Sequence, residues 1–239
     1  MSANDIHTGD TLAPDSPRTH IGLDDPYLLS DATARELLAV TPWRRFAVIG
    51  DSTAAATGDP SPGYETISWA DRLARWFLAA HPGTDYLNTG RMGATIPEVR
   101  AGQLAALHDF HPDLVHITCG GNDLIRRDGD LIAVEKDLDA LCDSVAATGA
   151  RLSMFTLADA FTGPLRPLRP RFAGFADSVR RVAARHDAIL TEFWAHPARL
   201  REDWLSADHI HLTMAGQAVV AAELAKSFAR HADSGHGGQ

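Results

Sequence analysis

Residues 45–52 read RFAVIGDS, a short apolar run that ends in Gly50-Asp51-Ser52. A run of this length followed by a glycine turn is typical of a buried strand and the turn that leaves it. Four further short apolar runs follow along the chain, and segments with apolar residues at helical spacing separate them. The further strands are predicted near residues 86–88, 114–118, 152–157 and 188–192.

The regular alternation of strands and helices decides the fold class. Helices are predicted near residues 69–80, 97–108, 132–148, 172–186 and 213–230. Because the strands read as continuous apolar runs, the pattern favours a parallel sheet covered by helices on both faces. We therefore predict an α/β fold, a three-layer α/β/α sandwich around a five-stranded parallel sheet. Residues 28–230 form its single domain, preceded by a mobile arm (1–27) and followed by a flexible tail (231–239).

The overall charge of the chain excludes several classes of partner. Its formal net charge is -9 and its pI is near 5.7. Nucleic acid normally requires a basic stripe, and an acidic surface also disfavours anionic membranes. The first residues are polar and acidic, whereas a secretion signal has a basic start followed by an apolar core. No apolar run is long enough to span a bilayer. The expected location is cytoplasmic, with no nucleic-acid or membrane partner.

Small and polar residues follow the first three predicted strands. Asp51 and Ser52 follow the first, Gly93 the second, and Asn122 the third. In a parallel α/β sheet the ligand site lies beyond the carboxyl ends of the strands. A serine at such a turn can expose its hydroxyl as a nucleophile, provided that a base lies within reach. The sequence thus predicts a site at this edge, with Ser52 as its nucleophile.

A base and its partner occur together near the end of the chain. Asp208 precedes His211 by three residues, in a loop just before the last helix. Such a pair can take the proton of Ser52 and hold the imidazole in the required tautomer. Three donors could hold an acyl oxyanion: the backbone N–H of Ser52, the N–H of Gly93 and the side-chain amide of Asn122. Ser52, Asp208 and His211 are the predicted catalytic residues.

At these residues the sequence resembles the SGNH hydrolase family of GDSL-like lipases and esterases. Four blocks carry the resemblance, in order: Gly50-Asp51-Ser52, residues 88–93, Gly120-Gly121-Asn122-Asp123 and Asp208-His209-Ile210-His211. The resemblance spans roughly residues 46–230 and implies a flavodoxin-like fold that cleaves esters without a metal or other cofactor. Thr53 departs from the family pattern, which often has Leu or Phe there. Either Gly90 or Gly93 could supply the second oxyanion N–H, and the spacing favours Gly93.

Two of these motifs also resemble binding sites of other kinds, for zinc and for a dinucleotide. His209 and His211 form a His-x-His pair, but two ligands without a third make a poor zinc site. Residues 90–93 lack the three-glycine pattern and the downstream acid of a dinucleotide loop. Asp51 and Thr53, beside the nucleophile, are candidate substrate contacts.

The loop of residues 161–171 is either a rigid, solvated connection or a lid. As a lid, it would use Arg166, Arg169 or Arg171 to attract a carboxylate or phosphate of the substrate. The sequence leaves both interpretations open.

The predicted function is hydrolysis of small-molecule carboxylic esters with small or medium acyl groups, through an acyl-enzyme on Ser52. An acyltransferase that passes the same acyl group to an alcohol or amine is the main alternative. A catalytically inert binding module with the same cleft is a third, and the four intact blocks argue against it.

Overall fold

The computed structural model describes residues 25–126 and 130–236. It contains a five-stranded parallel sheet with the strand order β2-β1-β3-β4-β5. The strands are β1 (Arg45–Gly50), β2 (Asp85–Asn88), β3 (Leu114–Thr118), β4 (Arg151–Phe155) and β5 (Ile189–Thr191). This confirms the predicted α/β sandwich and brings β1 and β3 together at the middle of the sheet.

The described residues contain seven α-helices, six of which cover the two faces of the sheet. They are α1 (Asp31–Ala39), α2 (Trp69–Ala80), α3 (Ile96–Phe110), α4 (Gly121–Arg126), α5 (Leu131–Ala146), α6 (Arg169–Arg185) and α7 (Met214–His236). On one face α1, α2 and α7 bury a cluster that includes Leu38, Phe77 and Phe228. On the other face α3, α5 and α6 bury a second cluster, which includes Leu107 and Leu141. The sheet is thus shielded from water on both sides, as the apolar strands predicted.

Four segments differ from the sequence prediction. Part of the predicted loop of residues 161–171 is helical, since a 3₁₀ helix spans Gly163–Leu168 and α6 starts at Arg169. The short helix α4 was not predicted. Helix α7 continues to His236, so residues 231–236 extend a helix that was predicted to end near 230. At the amino-terminal end, Asp25 belongs to the predicted mobile arm (1–27). It forms an ion pair with Arg201, which attaches this part of the arm to the domain. The rest of the predicted arm (1–24) and tail (237–239) lies outside the described residues.

In the described ranges, no helix is both long enough and apolar enough to cross a membrane.

A histidine side chain is fully buried at the centre of the sheet. His116 of β3 has 0% exposure and contacts the rings of Trp69 and Phe155, with ring centroids 5.0 and 4.9 Å away. Its Nδ1 lies 3.0 Å from Oγ of Ser153 on the adjacent strand. Burial lowers the pKa of His116 to about 3, so the ring is neutral in the folded protein at neutral pH.

This neutral histidine should make the protein sensitive to acid. In the unfolded chain a histidine gains its proton near pH 6.5, whereas folded His116 does not until about pH 3. Stability that is present above pH 6.5 is therefore lost as the pH falls, at about 1.4 kcal/mol per pH unit. We expect His116→Gln to show a shallower loss of unfolding free energy between pH 6 and pH 4 than wild type, in urea titrations. Equal slopes for wild type and His116→Gln would contradict this explanation.

Candidate active site

The turn that carries Ser52 is fixed by a close approach of two strands. Gly50, the last residue of β1, has φ +146°, and a Cβ there would lie 1.9 Å from the carbonyl oxygen of Thr118. The next residue, Asp51, donates its N–H to that same carbonyl at 3.0 Å. Only glycine permits this contact. Ser52 follows at the carboxyl edge of the sheet, 8% exposed, and lines the cavity there.

Gln103 of α3 supports this turn, and sequence analysis missed it. Its Nε2 donates to the carbonyl of Gly50 at 2.8 Å, and its Oε1 accepts the N–H of Gly50 at 2.8 Å. The side chain thus bonds to the backbone as a neighbouring strand would. A signal existed in the sequence, because Val99, Gln103 and Leu107 recur every four residues on the buried face of α3. A polar residue within such an apolar stripe requires a partner inside the fold.

The base and its partner form a closely bonded pair. Nδ1 of His211 lies 2.5 Å from Oδ2 of Asp208, whose Oδ1 accepts the N–H groups of Ile210 (2.9 Å) and His211 (3.0 Å). Burial acts to raise the pKa of Asp208, but these hydrogen bonds outweigh it and lower the pKa to about 2. The ionised carboxylate therefore holds a proton on Nδ1 and leaves Nε2 free to act as a base. His211 lines the same cavity as Ser52.

The loop that carries the pair is bonded to the segment after the nucleophile. Asp59 accepts the N–H of Met214 on its carbonyl and that of Ala207 on Oδ2, both at 2.9 Å. Its own N–H donates to Oγ of Ser206 at 2.9 Å. A Cβ on Gly58 would lie 1.9 Å from the carbonyl oxygen of Leu212, so the two backbones are in direct contact. These contacts set the position of His211 relative to the Ser52 turn.

Gln217, in the first turn of α7, joins three parts of the site. Its Nε2 donates to the carbonyl of Ala56 at 2.9 Å, and its Oε1 accepts the N–H of Trp69, the first residue of α2, at 3.1 Å. Its side chain also lies 3.5 Å from the carbonyl oxygen of Leu212. The residue is 1% exposed. Sequence analysis missed Gln217 as well, although it too is a polar residue on a buried helix face.

The structure separates the roles of the two glycines after β2. The N–H of Gly90 donates to Oδ1 of Asn88 at 2.9 Å, and a Cβ on Gly90 would lie 2.4 Å from the backbone nitrogen of Ala55. Gly90 is thus a packing residue whose donor is already used. Gly93 has φ +70°, a backbone conformation that favours glycine. Of the two, Gly93 is therefore the better candidate for an oxyanion donor.

Asn122 and Asp123 have different surroundings in the short helix α4. Asn122 lines the cavity, and its Nδ2 donates to the carbonyl of Ala94 at 3.1 Å, which fixes the orientation of the amide. Asp123 is buried and accepts the N–H of Ile96 at 3.0 Å, which anchors the start of α3. The amide of Asn122 is thus oriented at the cavity, whereas Asp123 joins α4 to the start of α3.

Asp51 lies beside the nucleophile and is buried. Burial raises the pKa of its carboxyl group to about 6, although an N–H from Thr53 at 2.9 Å acts to lower it. The charge of Asp123 also raises this pKa, and His211 lowers it. Asp51 and Thr53 both line the cavity, where they were predicted to contact substrate; that role stays a prediction.

None of the three candidate arginines lines the cavity. Arg169 forms an ion pair with Asp159 and lies over the ring of Trp194, 5.9 Å from its centroid. Arg171 reaches the carbonyl of Leu124 at 3.5 Å, and Arg166 is exposed. An anion contact by these side chains stays a prediction without support from their positions.

His209 lies at the rim of the cavity rather than at a metal centre. Its Nδ1 is 3.4 Å from Oγ1 of Thr162, and its ring lies against Gly163. Within residues 25–126 and 130–236, no three His, Cys, Asp or Glu side chains are grouped closely enough to hold a metal ion.

Solved structures with the same fold include several hydrolases. LAE5, an α/β hydrolase enzyme from the metagenome of Lake Arreo in Spain, is 26% identical, with a TM-score of 0.61, over 77% of this chain and 94% of its own. TesA is 25% identical, with a TM-score of 0.62, over 77% and 97% of the two chains. The esterase EstA from Pseudoalteromonas sp. is 19% identical, with a TM-score of 0.63 over 80% and 99%, and shows the fold alone.

The family of the chain follows from its sequence match. No curated protein matches the chain significantly. The model of the GDSL-like Lipase/Acylhydrolase family matches residues 48–219, which include Ser52, Asn122, Asp208 and His211. The chain therefore belongs to the GDSL-like lipase/acylhydrolase family and is a hydrolase that acts on ester bonds.

Proposed function

We propose that this protein hydrolyses carboxylic esters of small or medium acyl groups through an acyl-enzyme on Ser52. One observation carries the proposal: Ser52 and His211 line one cavity, and Asp208 holds Nδ1 of that histidine at 2.5 Å. A hydroxyl, an imidazole with a free Nε2 and a carboxylate behind it are the parts that nucleophilic acyl transfer requires.

The first half of the reaction forms the acyl-enzyme. Oγ of Ser52 attacks the carbonyl carbon while Nε2 of His211 takes the hydroxyl proton. Asp208 stabilises the resulting imidazolium, because its lowered pKa keeps the carboxylate ionised throughout. His211 then delivers the proton to the alcohol oxygen as the C–O bond of the ester breaks. The alcohol leaves, and the acyl group stays bonded to Ser52.

Three donors stabilise the tetrahedral intermediate in this proposal. They are the backbone N–H groups of Ser52 and Gly93 and the side-chain amide of Asn122. The bond from Nδ2 of Asn122 to the carbonyl of Ala94 leaves the second amide hydrogen available for the oxyanion. A donor that is oriented before the reaction stabilises the transition state without a cost of reorganisation.

The second half of the reaction releases the acid. Water gives a proton to His211 and attacks the acyl carbonyl, and the C–O bond to Ser52 breaks as the proton returns to Oγ. An alcohol or amine in place of this water would make the protein an acyltransferase. Product analysis with added alcohols distinguishes the two, since only an acyltransferase converts most of the acyl group to the new ester.

Labelling with a fluorophosphonate tests the nucleophile directly. We expect one equivalent of phosphonate on Ser52, located by mass spectrometry of the labelled peptide. His211→Ala should slow the labelling strongly because the base is lost, whereas Ser61→Ala should not, since Ser61 is a buried serine that bonds to the N–H of Ala215. Absence of label on Ser52, or labelling that does not depend on His211, would contradict the proposal.

A further inference from the structure

The active-site cavity continues inward from Ser52 along the helical layers. Helix α7 begins at Met214, directly after the histidine loop, and both Gln217 and Val220 line the cavity. These two residues lie three positions apart, about 4.5 Å along the helix axis, so the space extends along the first two turns of α7. Across the sheet edge, Phe175 and Val179 of α6 line it one turn apart. The cavity thus has a deep part as well as a mouth.

The walls of the deep part are apolar. Seven of the residues that line the cavity are Phe or Trp, among them Trp69, Phe155, Phe161, Phe172 and Phe193. They pack on one another, with ring centroids 5.7 Å apart for Phe155 and Phe193 and 4.5 Å for Phe161 and Phe172. Such walls favour an apolar group, because burial in contact with them removes it from water.

The polar groups of the deep part already have partners. Oγ1 of Thr156 accepts the N–H groups of Phe193 (2.8 Å) and Trp194 (3.0 Å), and the amide of Gln217 is held as described above. Among the described residues, neither lysine nor arginine lines the cavity. A negatively charged substituent placed there would lose its hydration and gain no basic side chain as a counter-ion.

The volume of the cavity limits the size of the group. It measures about 140 Å³. An apolar cavity of about 150 Å³ in another protein is known to hold one benzene molecule. Because this volume includes the mouth beside Ser52, about six carbon atoms are the upper limit for the acyl group, an acetyl group leaves most of the space empty, and a ten-carbon chain exceeds it.

The position of His211 indicates which half of the ester enters. The leaving alcohol must face Nε2 of His211 to receive its proton. That residue is carried by an outer loop in which Asp208 and Ile210 are about half exposed, at 45% and 51%. The alcohol therefore departs toward solvent, and the acyl group is the part that faces inward.

We propose that the cavity behind Ser52 is an acyl pocket that selects uncharged, apolar acyl groups of about four to six carbons, or a ring of benzoyl size. The inference rests on the proposed function and adds the substrate class. Val220 and Val179 line the pocket from opposite helical layers and are its specificity-determining residues.

Rates of p-nitrophenolate release from p-nitrophenyl esters test the size and charge of the pocket. We expect kcat/KM to rise about four-fold per methylene from acetate to hexanoate and to fall at decanoate. The mono-p-nitrophenyl ester of glutaric acid, whose acyl group carries a carboxylate, should react at least about 100-fold more slowly than the pentanoate. Because release of p-nitrophenolate reports acylation, the series is informative for a hydrolase and an acyltransferase alike.

An isomeric pair tests the orientation. Ethyl hexanoate and hexyl acetate contain the same atoms, and we expect at least about tenfold faster cleavage of ethyl hexanoate, since its long chain is the acyl part. Faster cleavage of hexyl acetate would overturn the assignment of the pocket to the acyl group.

Two adjacent valines of α7 provide a matched pair of variants. Val220 and Val219 are both buried, at 2% and 0% exposure, but only Val220 lines the cavity. Val220→Ala should move the chain-length optimum about one to two carbons longer, because two methyl groups leave the pocket wall. Val219→Ala loses the same groups elsewhere and should keep the wild-type optimum.

The Ser52→Ala variant distinguishes a failure of the acyl-pocket assignment from a failure of the proposed function. A flat profile, an acetate optimum or equal shifts in both valine variants would overturn the acyl pocket if the activity disappears in Ser52→Ala. Activity that survives in Ser52→Ala would instead overturn the proposed function, and the pocket assignment with it.

Discussion

Replacing Ser52 by alanine should lower kcat/KM for p-nitrophenyl esters by at least about 10⁴-fold. The variant keeps the turn, because Gly50 and its contacts with Thr118 and Gln103 are unchanged. It loses the oxygen that bonds to the acyl group, so only direct attack by water remains. Binding and the oxyanion donors can still give a residual rate above the uncatalysed reaction.

The measurement for Ser52→Ala is initial-rate kinetics beside thermal unfolding of the same preparation. We expect an unfolding temperature close to that of wild type, since the change removes one hydroxyl and no packing group. If this variant is unfolded, Ser52→Gly, which also removes the hydroxyl, replaces it. A folded Ser52→Ala enzyme with near wild-type turnover would show that the nucleophile lies elsewhere.

Replacing Asn122 by alanine should lower kcat by about 100- to 1,000-fold with little change in KM. The amide lies at the cavity with one N–H on the carbonyl of Ala94. Its remaining donor interacts with the substrate oxygen most strongly when that oxygen carries charge. Loss of a transition-state contact lowers kcat and kcat/KM by the same factor, whereas loss of a binding contact raises KM.

Asn122→Asp is the matched control for this prediction. Aspartate has nearly the same shape as asparagine, so it preserves the filling of the site, but it replaces the amide donor by an acceptor. If Asn122 acts through its donor, the Asp variant should be at least as impaired as the Ala variant near neutral pH. If either variant keeps wild-type kcat, the amide has no part in holding the oxyanion.

The strands and helices of this protein could be predicted because the sequence patterns that indicate them are local and recur along the chain. Every strand of the sheet overlaps a predicted strand, and β3 is found at the predicted residues 114–118. The candidate catalytic residues could be named because each follows a strand or precedes a helix, where the topology of a parallel sheet brings them to one edge.

What sequence reasoning missed depended on tertiary contacts or on misleading local signals. Gln103 and Gln217 contact backbone 53 and 161 residues away, respectively, and no spacing rule reveals such partners. Residues 163–168 were predicted as part of a loop, yet they form a 3₁₀ helix with Pro167 inside it, and Pro170 lies in the first turn of α6. Proline is tolerated in a first turn, since the N–H it lacks has no helical partner there.

The contact between Gly58 and Leu212 has a consequence for protein engineering. The two segments that carry nucleophile and base are separate in the chain but are joined by backbone and side-chain hydrogen bonds through Asp59. Random mutagenesis of either segment will shift both reactive groups together, so most library members will be inactive. Four residues line the cavity away from this junction: Ala158, Leu165, Val179 and Val220. A library confined to them can vary the substrate range without moving the catalytic residues.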